Sequence, residues 1–88
     1  MGNGWIGQNY PNPFYIETLI SYQLPKTSNV KLSIYIFLEQ KVAILVNERQ
    51  QAGYHQIKWD ASQFSSGAYY DKLVAGEFQD VKKMILLR

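Results

Sequence analysis

A single histidine is the first candidate for chemistry in this 88-residue sequence. A catalytic triad can be assembled on paper from Ser65 or Ser66 as nucleophile, His55 as base and Asp60 as the orienting carboxylate. Neither serine lies in a Gly-x-Ser-x-Gly nucleophile elbow, and no oxyanion-hole motif accompanies them. A lone histidine on a strand is more typical of a packed or edge residue, so the sequence predicts no enzyme of this kind.

Metal, thiol and phosphate-loop chemistry find no support either. The chain has no cysteine, so it can form no disulfide. A zinc site needs three or four ligands, and His55 has no second histidine or cysteine to join it. Glycine-rich phosphate loops and calcium-binding loop spacing are also missing from the sequence. We therefore predict neither a metal nor a cofactor.

Asp71 is the most unusual single residue, because its neighbours on the same strand face are apolar. Tyr69, Asp71 and Leu73 alternate with Tyr70 and Lys72, so period two places all three on one side. Three interpretations stay open. This end of the strand is open to solvent, or the carboxylate is a binding contact, or burial raises its pKa and makes it a general base near Trp59 or His55.

Short strands must position these residues. Alternating apolar and polar residues, separated by turn signals roughly every ten residues, predict strands over 20–24, 30–34, 55–59, 68–75 and 78–87. Residues 42–46 are a continuous apolar run, which predicts a strand covered on both faces. Pro11 and Pro13 exclude a central strand over residues 8–14 and predict an extended edge or a rigid loop for that segment. The pattern indicates six or seven short strands, and we predict a seven-stranded antiparallel β-sandwich of the immunoglobulin-like class, with Trp59 in its core and Tyr69 as a tyrosine corner.

Composition agrees with one small folded domain. Hydrophobic residues make up 47% and charged residues 18% of the chain, and the net charge is +2. The basic residues are scattered apart from Lys82-Lys83, so we predict solvated strand faces and no nucleic-acid site. No apolar run approaches the roughly 18 residues of a membrane span. Residues 1–7 predict a flexible leader or the remnant of an expression start, without signal-peptide features, although Trp5 and Ile6 are apolar enough to dock. Residues 8–88 predict the domain.

The order of motifs resembles one protein family over residues 8–88. The matching segments run from the first proline-rich stretch to the final strand: Gln8-Asn9-Tyr10-Pro11-Asn12-Pro13-Phe14, Ile20-Ser21-Tyr22-Gln23-Leu24-Pro25, Asn29-Val30-Lys31-Leu32, Val42-Ala43, Leu45-Val46, Gly53-Tyr54-His55, Trp59-Asp60-Ala61, Ser66-Gly67, Tyr69, Leu73, Ala75-Gly76 and 82–88. The family is the C-terminal sorting domain of the type IX secretion system, which is similar to the Ig-like module of the flagellar hook-capping protein.

The resemblance implies a non-catalytic secretion, sorting and cell-surface attachment module of an exported bacterial protein. Its partner would be the export machinery, and its location the cell surface or the medium. The charged features that this machinery could read are Lys82, Lys83 and Arg88 in the last strand and just after it.

Several positions depart from the family pattern. Tyr15, Ile16, Ile36 and Phe37 put apolar side chains where turn and polar residues are usual, and Glu39 stands in place of a turn glycine. Asp71 stands in place of an aromatic residue. These departures favour an alternative: an engineered binding or self-assembly protein, with location unknown and with a designed partner or a second copy as its partner. Its contact surface would be the four apolar residues, which are expected to lie close together. A designed active site around Asp71 is a more distant alternative.

Overall fold

The computed structural model describes residues 4–37 and 40–88. Within these residues the chain forms seven strands that pair antiparallel in two sheets. The strands are β1 (Trp5–Ile6), β2 (Glu17–Leu24), β3 (Ser28–Ile36), β4 (Gln40–Gln50), β5 (Gly53–Asp60), β6 (Gly67–Ala75) and β7 (Phe78–Leu86). The predicted fold class is confirmed. Leu38 and Glu39, and with them the replaced turn glycine, lie outside the described residues.

The two sheets have the orders β1-β2-β5 and β4-β3-β6-β7. This is the arrangement of an immunoglobulin-like sandwich, because the connections β2 to β3, β4 to β5 and β5 to β6 cross from one sheet to the other. The alternation in the sequence explains this arrangement, since most inward positions of β2 and β3 are apolar and most outward ones are polar. The core lies between the sheets and contains sixteen buried hydrophobic residues: Ile6, Phe14, Ile20, Tyr22, Leu24, Val30, Leu32, Ile34, Val46, Trp59, Ala61, Tyr69, Leu73, Ala75, Met84 and Leu86.

The apolar run in β4 has a different cause from the predicted one. β4 is an edge strand, and Ile44 is 49% exposed, so the prediction that the run is covered on both faces is wrong. The pairing with β3 slips twice, leaving Leu45 and Val42 without an opposite residue. Each slip inserts one extra residue and reverses the alternation, so apolar side chains follow one another along the chain.

The N-terminal residues belong to the sandwich. Trp5 and Ile6 pair with Gln23 and Tyr22 of β2, and Ile6 is 2% exposed. The backbone N–H of Ile6 donates to Asp80 Oδ2 of β7 at 3.3 Å. The prediction of a flexible leader is therefore wrong for residues 4–7, and the docking of Trp5 and Ile6 is observed. Residues 1–3 lie outside the described residues, and the origin of that start stays a prediction.

The proline-rich segment connects the two sheets. Tyr10 pairs with Leu19 of β2, and Phe14 forms a parallel bridge with Leu86 of β7. Between them, the side-chain amide of Asn9 donates to the carbonyl of Pro11 at 3.1 Å and to Thr18 Oγ1 at 3.0 Å. Asn9 and Thr18 are both 2% exposed, so their polar atoms satisfy each other inside the protein.

Candidate functional site

The last strand is held in place by the proline-rich segment. The side-chain amide of Gln8 donates to the carbonyl of Lys83 at 2.9 Å, and the N–H of Ile85 donates to Asn12 Oδ1 at 2.9 Å. The N–H of Phe14 donates to the carbonyl of Ile85 at 3.0 Å. These bonds occupy backbone groups on the outer edge of β7, so this part of the edge is covered.

The two lysines of β7 point in opposite directions. Lys82 stands opposite Asp71 of β6 on the inward side and is half-buried. Lys83 stands opposite Tyr70 on the outward side and is exposed. Only Lys83 therefore presents its ammonium group freely to a partner, because the alternation of the strand separates the adjacent pair.

Arg88 has a structural role that its sequence context does not reveal. Its Nη1 donates to the carbonyls of Ala61, Ser62 and Phe64 at 3.1, 2.8 and 3.1 Å. Its backbone N–H donates to Ser66 Oγ at 3.0 Å. The Arg88 guanidinium therefore bonds to three carbonyls of the loop between β5 and β6. Hydrogen bonds from a charged donor are stronger than those between neutral groups.

Replacing Arg88 by glutamine should loosen that loop. We expect a loss of about 1–2 kcal/mol in the free energy of unfolding, because three carbonyls lose a charged donor while they stay partly accessible to water. Chemical denaturation measures the loss, and Arg49→Gln in the exposed part of β4 is the matched control. Equal free energies of unfolding for the two variants would contradict a stabilising role of the Arg88 side chain.

Asp71 is fully buried on the inward face of β6, so the interpretation that this end of the strand is open to solvent is wrong. Neither carboxylate oxygen has a hydrogen-bond partner among the described residues. Burial raises the pKa of Asp71 from its ordinary 3.8 to about 7. Its own backbone amide and the charge of Lys82 lower the pKa less strongly, and Asp80 raises it.

The pKa of Asp71 lies in the range of a general base, but the group cannot act on a substrate from its position. A base must come within hydrogen-bond distance of the proton that it removes. The Asp71 side chain is 0% exposed, so the sandwich would have to open first. The geometry therefore gives no support to a designed active site at Asp71.

His55 is packed at the edge of the three-stranded sheet. Its ring stacks on Tyr22 with centroids 5.3 Å apart, and its Nε2 lies 2.8 Å from the carbonyl of Gln51. Within residues 4–37 and 40–88 no group of three histidine, cysteine, aspartate or glutamate side chains is arranged to hold a metal ion. The geometry is that of an edge residue with its polar atom satisfied.

The four apolar residues that depart from the family pattern fall at one end of the sandwich. Tyr15, Ile16 and Phe37 are 72%, 55% and 73% exposed, whereas Ile36 is half-buried and packs on the core. Ile36 is separated from Phe14 by three inter-strand steps, about 14 Å at ~4.8 Å each. The exposed residues thus lie on two flanks of one end, and their use as a single contact surface stays a prediction.

The tyrosine corner is present. The hydroxyl of Tyr69 donates to the carbonyl of Ser65 at 2.6 Å, four residues upstream. This bond fixes the start of β6 to the loop that Arg88 also contacts, so the loop between β5 and β6 is anchored from both sides.

Sequence reasoning missed a group of lysines. The sequence predicts scattered lysines on solvated faces, but Lys31, Lys41 and Lys72 lie on three neighbouring strands around the ring of Tyr35. Strand alternation could have placed each one outward. The register that brings them together depends on the two slips in β4, for which the sequence has no signal.

Comparison with known proteins places the chain in a family. The model of the secretion system C-terminal sorting domain matches residues 8–87, and the chain belongs to that family. No curated protein and no solved structure matches the chain significantly. Family membership indicates a type IX sorting domain of an exported protein that is secreted or attached to the cell surface, and that interacts with the export machinery. Domains of this family are generally non-catalytic.

The family match supports the natural interpretation of the sequence and does not support an engineered scaffold. No helix within the described ranges is long and apolar enough to cross a membrane.

Proposed function

We propose that this domain sorts its parent protein for export, takes part in attaching it to the cell surface, and performs no catalysis itself. The observation that carries the proposal is the family match over residues 8–87. The structure supplies a physical basis for recognition in the folded state. Strand order, core and edge are all fixed before any partner binds, so the export machinery would read a rigid surface.

The N-terminal motif that matches the family supports this proposal, because its hydrogen bonds hold the last strand in place. Gln8, Asn12 and Phe14 bond to the backbone of Lys83, Ile85 and Leu87. A motif used in this way presents β7 in one fixed position. The side chains that point outward from β7 are then displayed with little loss of conformational entropy on binding.

Of the three charged sorting candidates, Lys83 is the one that we assign to recognition. Its side chain is exposed, whereas Lys82 is turned inward against Asp71 and Arg88 is bonded to loop carbonyls. Lys82 and Arg88 then act on export only through the stability of the domain. Exposed Tyr15, Ile16 and Phe37 form a second candidate contact, since aromatic and isoleucine anchors are favoured at protein interfaces.

The proposal is tested with a periplasmic reporter fused to the N-terminus of this chain, in a bacterium that has the type IX system. We expect Lys83→Glu to reduce the extracellular fraction several-fold, because reversal of an exposed charge opposes the complementary potential of a partner. Lys26→Glu, in the exposed turn between β2 and β3, is the matched control and should be exported normally.

The same assay separates the two contacts. Tyr15→Ser with Phe37→Ser removes the apolar candidate, and Tyr10→Ser is its control at a side chain that is 78% exposed elsewhere. Normal export of the double variant would exclude the apolar residues. Normal export of Lys83→Glu, with the fold intact by circular dichroism, would exclude Lys83 as the recognised residue.

A further inference from the structure

The carboxylates on the described strands of the four-stranded sheet all lie on its inward side, where Lys82 also lies. In an antiparallel pair, residues directly opposite each other share one side of the sheet. Each carboxylate of the described strands of this sheet stands opposite a buried core residue and so lies on the inward side: Glu48 opposite Val30, Asp71 opposite Ile34, and Asp80 opposite Leu73.

The outward side of the same sheet carries lysines from all four strands. Lys31 of β3, Lys41 of β4, Lys72 of β6 and Lys83 of β7 occupy outward positions, by the same pairing rule. Three of them converge. The Nζ atoms of Lys41 and Lys72 lie 5.9 and 6.0 Å from the centre of the Tyr35 ring. Lys31 lies beside Lys41, and this neighbour lowers the pKa of Lys31.

Like charges that converge repel one another, so the arrangement opposes folding when nothing compensates it. The Tyr35 ring offers partial compensation through cation–π attraction, which is weak at an exposed site. Among residues 4–37 and 40–88 no carboxylate occupies an outward strand position of this sheet. Compensation by a bound anion would remove the repulsion and make the cluster favourable.

We propose that the outward face of the four-stranded sheet, centred on Lys31, Lys41, Lys72 and Tyr35, binds a membrane surface that carries anionic phosphate headgroups. This inference does not rest on the sorting function. Its basis is the confinement of the carboxylates of the described strands to the inward side of this sheet and the convergence of ammonium groups from three strands.

Four features favour a lipid surface over other partners. The face is the broad surface of a pleated sheet, which fits a flat partner surface better than a grooved one. Four of the five cations on its described strands are lysines, compact point charges that suit phosphate, and the fifth is Arg49, opposite Asn29. Protein interfaces are depleted of lysine, which argues against a protein partner at the cluster of Lys31, Lys41 and Lys72. Ile44 and Val81, at 49% and 48% exposed, add apolar groups to the same face that can enter the headgroup layer.

The test compares two double variants of the chain that change net charge equally. Lys31→Gln with Lys72→Gln removes two lysines of the proposed face, and Lys26→Gln with Lys58→Gln removes two that lie elsewhere. Binding is measured by co-sedimentation with vesicles of phosphatidylcholine containing phosphatidylglycerol, and with vesicles of phosphatidylcholine alone. Duplex DNA and inorganic phosphate serve as competing anions.

We expect the unaltered chain to bind only the anionic vesicles, with affinity that falls as salt rises. The face variant should bind about 25-fold more weakly, at about fivefold for each lysine. The affinity of the control variant for the anionic vesicles should fall much less. The face variant should also unfold at an equal or higher temperature, since it relieves repulsion, so weaker binding cannot be assigned to misfolding.

Several results would overturn the proposal. They are equal losses of affinity in the two double variants, equal binding of the unaltered chain to neutral and anionic vesicles, and no binding to anionic vesicles. Full displacement from the vesicles by millimolar inorganic phosphate would also overturn it, because it would indicate a site for a free anion. Tighter binding to duplex DNA than to vesicles would assign the face to nucleic acid instead.

Discussion

Replacement of Trp59 by alanine is expected to destabilise the domain by about 3–5 kcal/mol, which is most of the stability available to a chain of this size. Trp59 is 3% exposed and lies 5.8 Å from Phe14, 5.4 Å from Phe64 and 5.4 Å from Tyr69, measured between ring centroids. Its removal leaves a cavity among three rings whose tilted and edge contacts it also provides. Guanidinium denaturation followed by circular dichroism measures the change.

The second tryptophan supplies the matched control. Trp5 is 40% exposed and contacts Tyr54 on the outer face of the three-stranded sheet at 6.2 Å. Trp5→Ala should therefore cost no more than about 1 kcal/mol. Equal losses from the two substitutions would contradict the assignment of Trp59 to the centre of the core.

Replacement of Asp71 by valine is expected to stabilise the domain, by about 2–4 kcal/mol at pH 8. The carboxylate is buried without a hydrogen-bond partner among the described residues, so ionising it costs free energy that a β-branched apolar side chain does not incur. Valine also suits a strand. The measurement is the free energy of unfolding as a function of pH, for the unaltered chain and for the Asp71→Val variant.

The sign of the pH dependence follows from the raised pKa. Below about pH 4 the folded and unfolded chains both hold the Asp71 proton, and the group has no effect. Between 3.8 and about 7 the folded chain keeps the proton and the unfolded chain has lost it, so stability falls as pH rises. Above pH 7 both states are ionised and the full cost remains. Three pKa units correspond to at most about 4 kcal/mol.

The control for this titration is Asp60→Asn. Asp60 is exposed, and the backbone N–H of Ser62 lowers its pKa, so its contribution has the opposite sign. The Asn variant should keep the fall in stability between pH 4 and 7, whereas Asp71→Val should remove it. A fall that persists unchanged in Asp71→Val would show that another group is responsible.

Much of the fold follows from strand alternation. Period two placed Trp59 and Tyr69 inward, and the structure confirms both in the core. Alternation also put Asp71 beside Tyr69 and Leu73, yet the burial of this carboxylate depends on how far the opposite sheet overlaps that end of β6. The overlap of the two sheets depends on the tertiary structure, and a local sequence pattern does not specify it.

The features that sequence reasoning missed are long-range. Arg88 bonds to carbonyls of Ala61, Ser62 and Phe64, and nothing in the local sequence links these residues. Lys31, Lys41 and Lys72 meet only because β3 pairs with both β4 and β6, with two slips in the first pairing. Slips of this kind are set by the fit of side chains between strands, and register is weakly specified by composition alone.

The central claim is that the folded chain directs export, and one measurement tests it most directly. A periplasmic reporter is produced with this chain, without it, and with its Trp59→Ala variant, in a host with the type IX system and in the same host lacking that system. The extracellular or surface-exposed fraction of the reporter is measured in each. We expect export only with the unaltered chain in the intact host, and sharply reduced export with the destabilised variant. A reporter that stays in the periplasm with the intact, folded chain would contradict the claim.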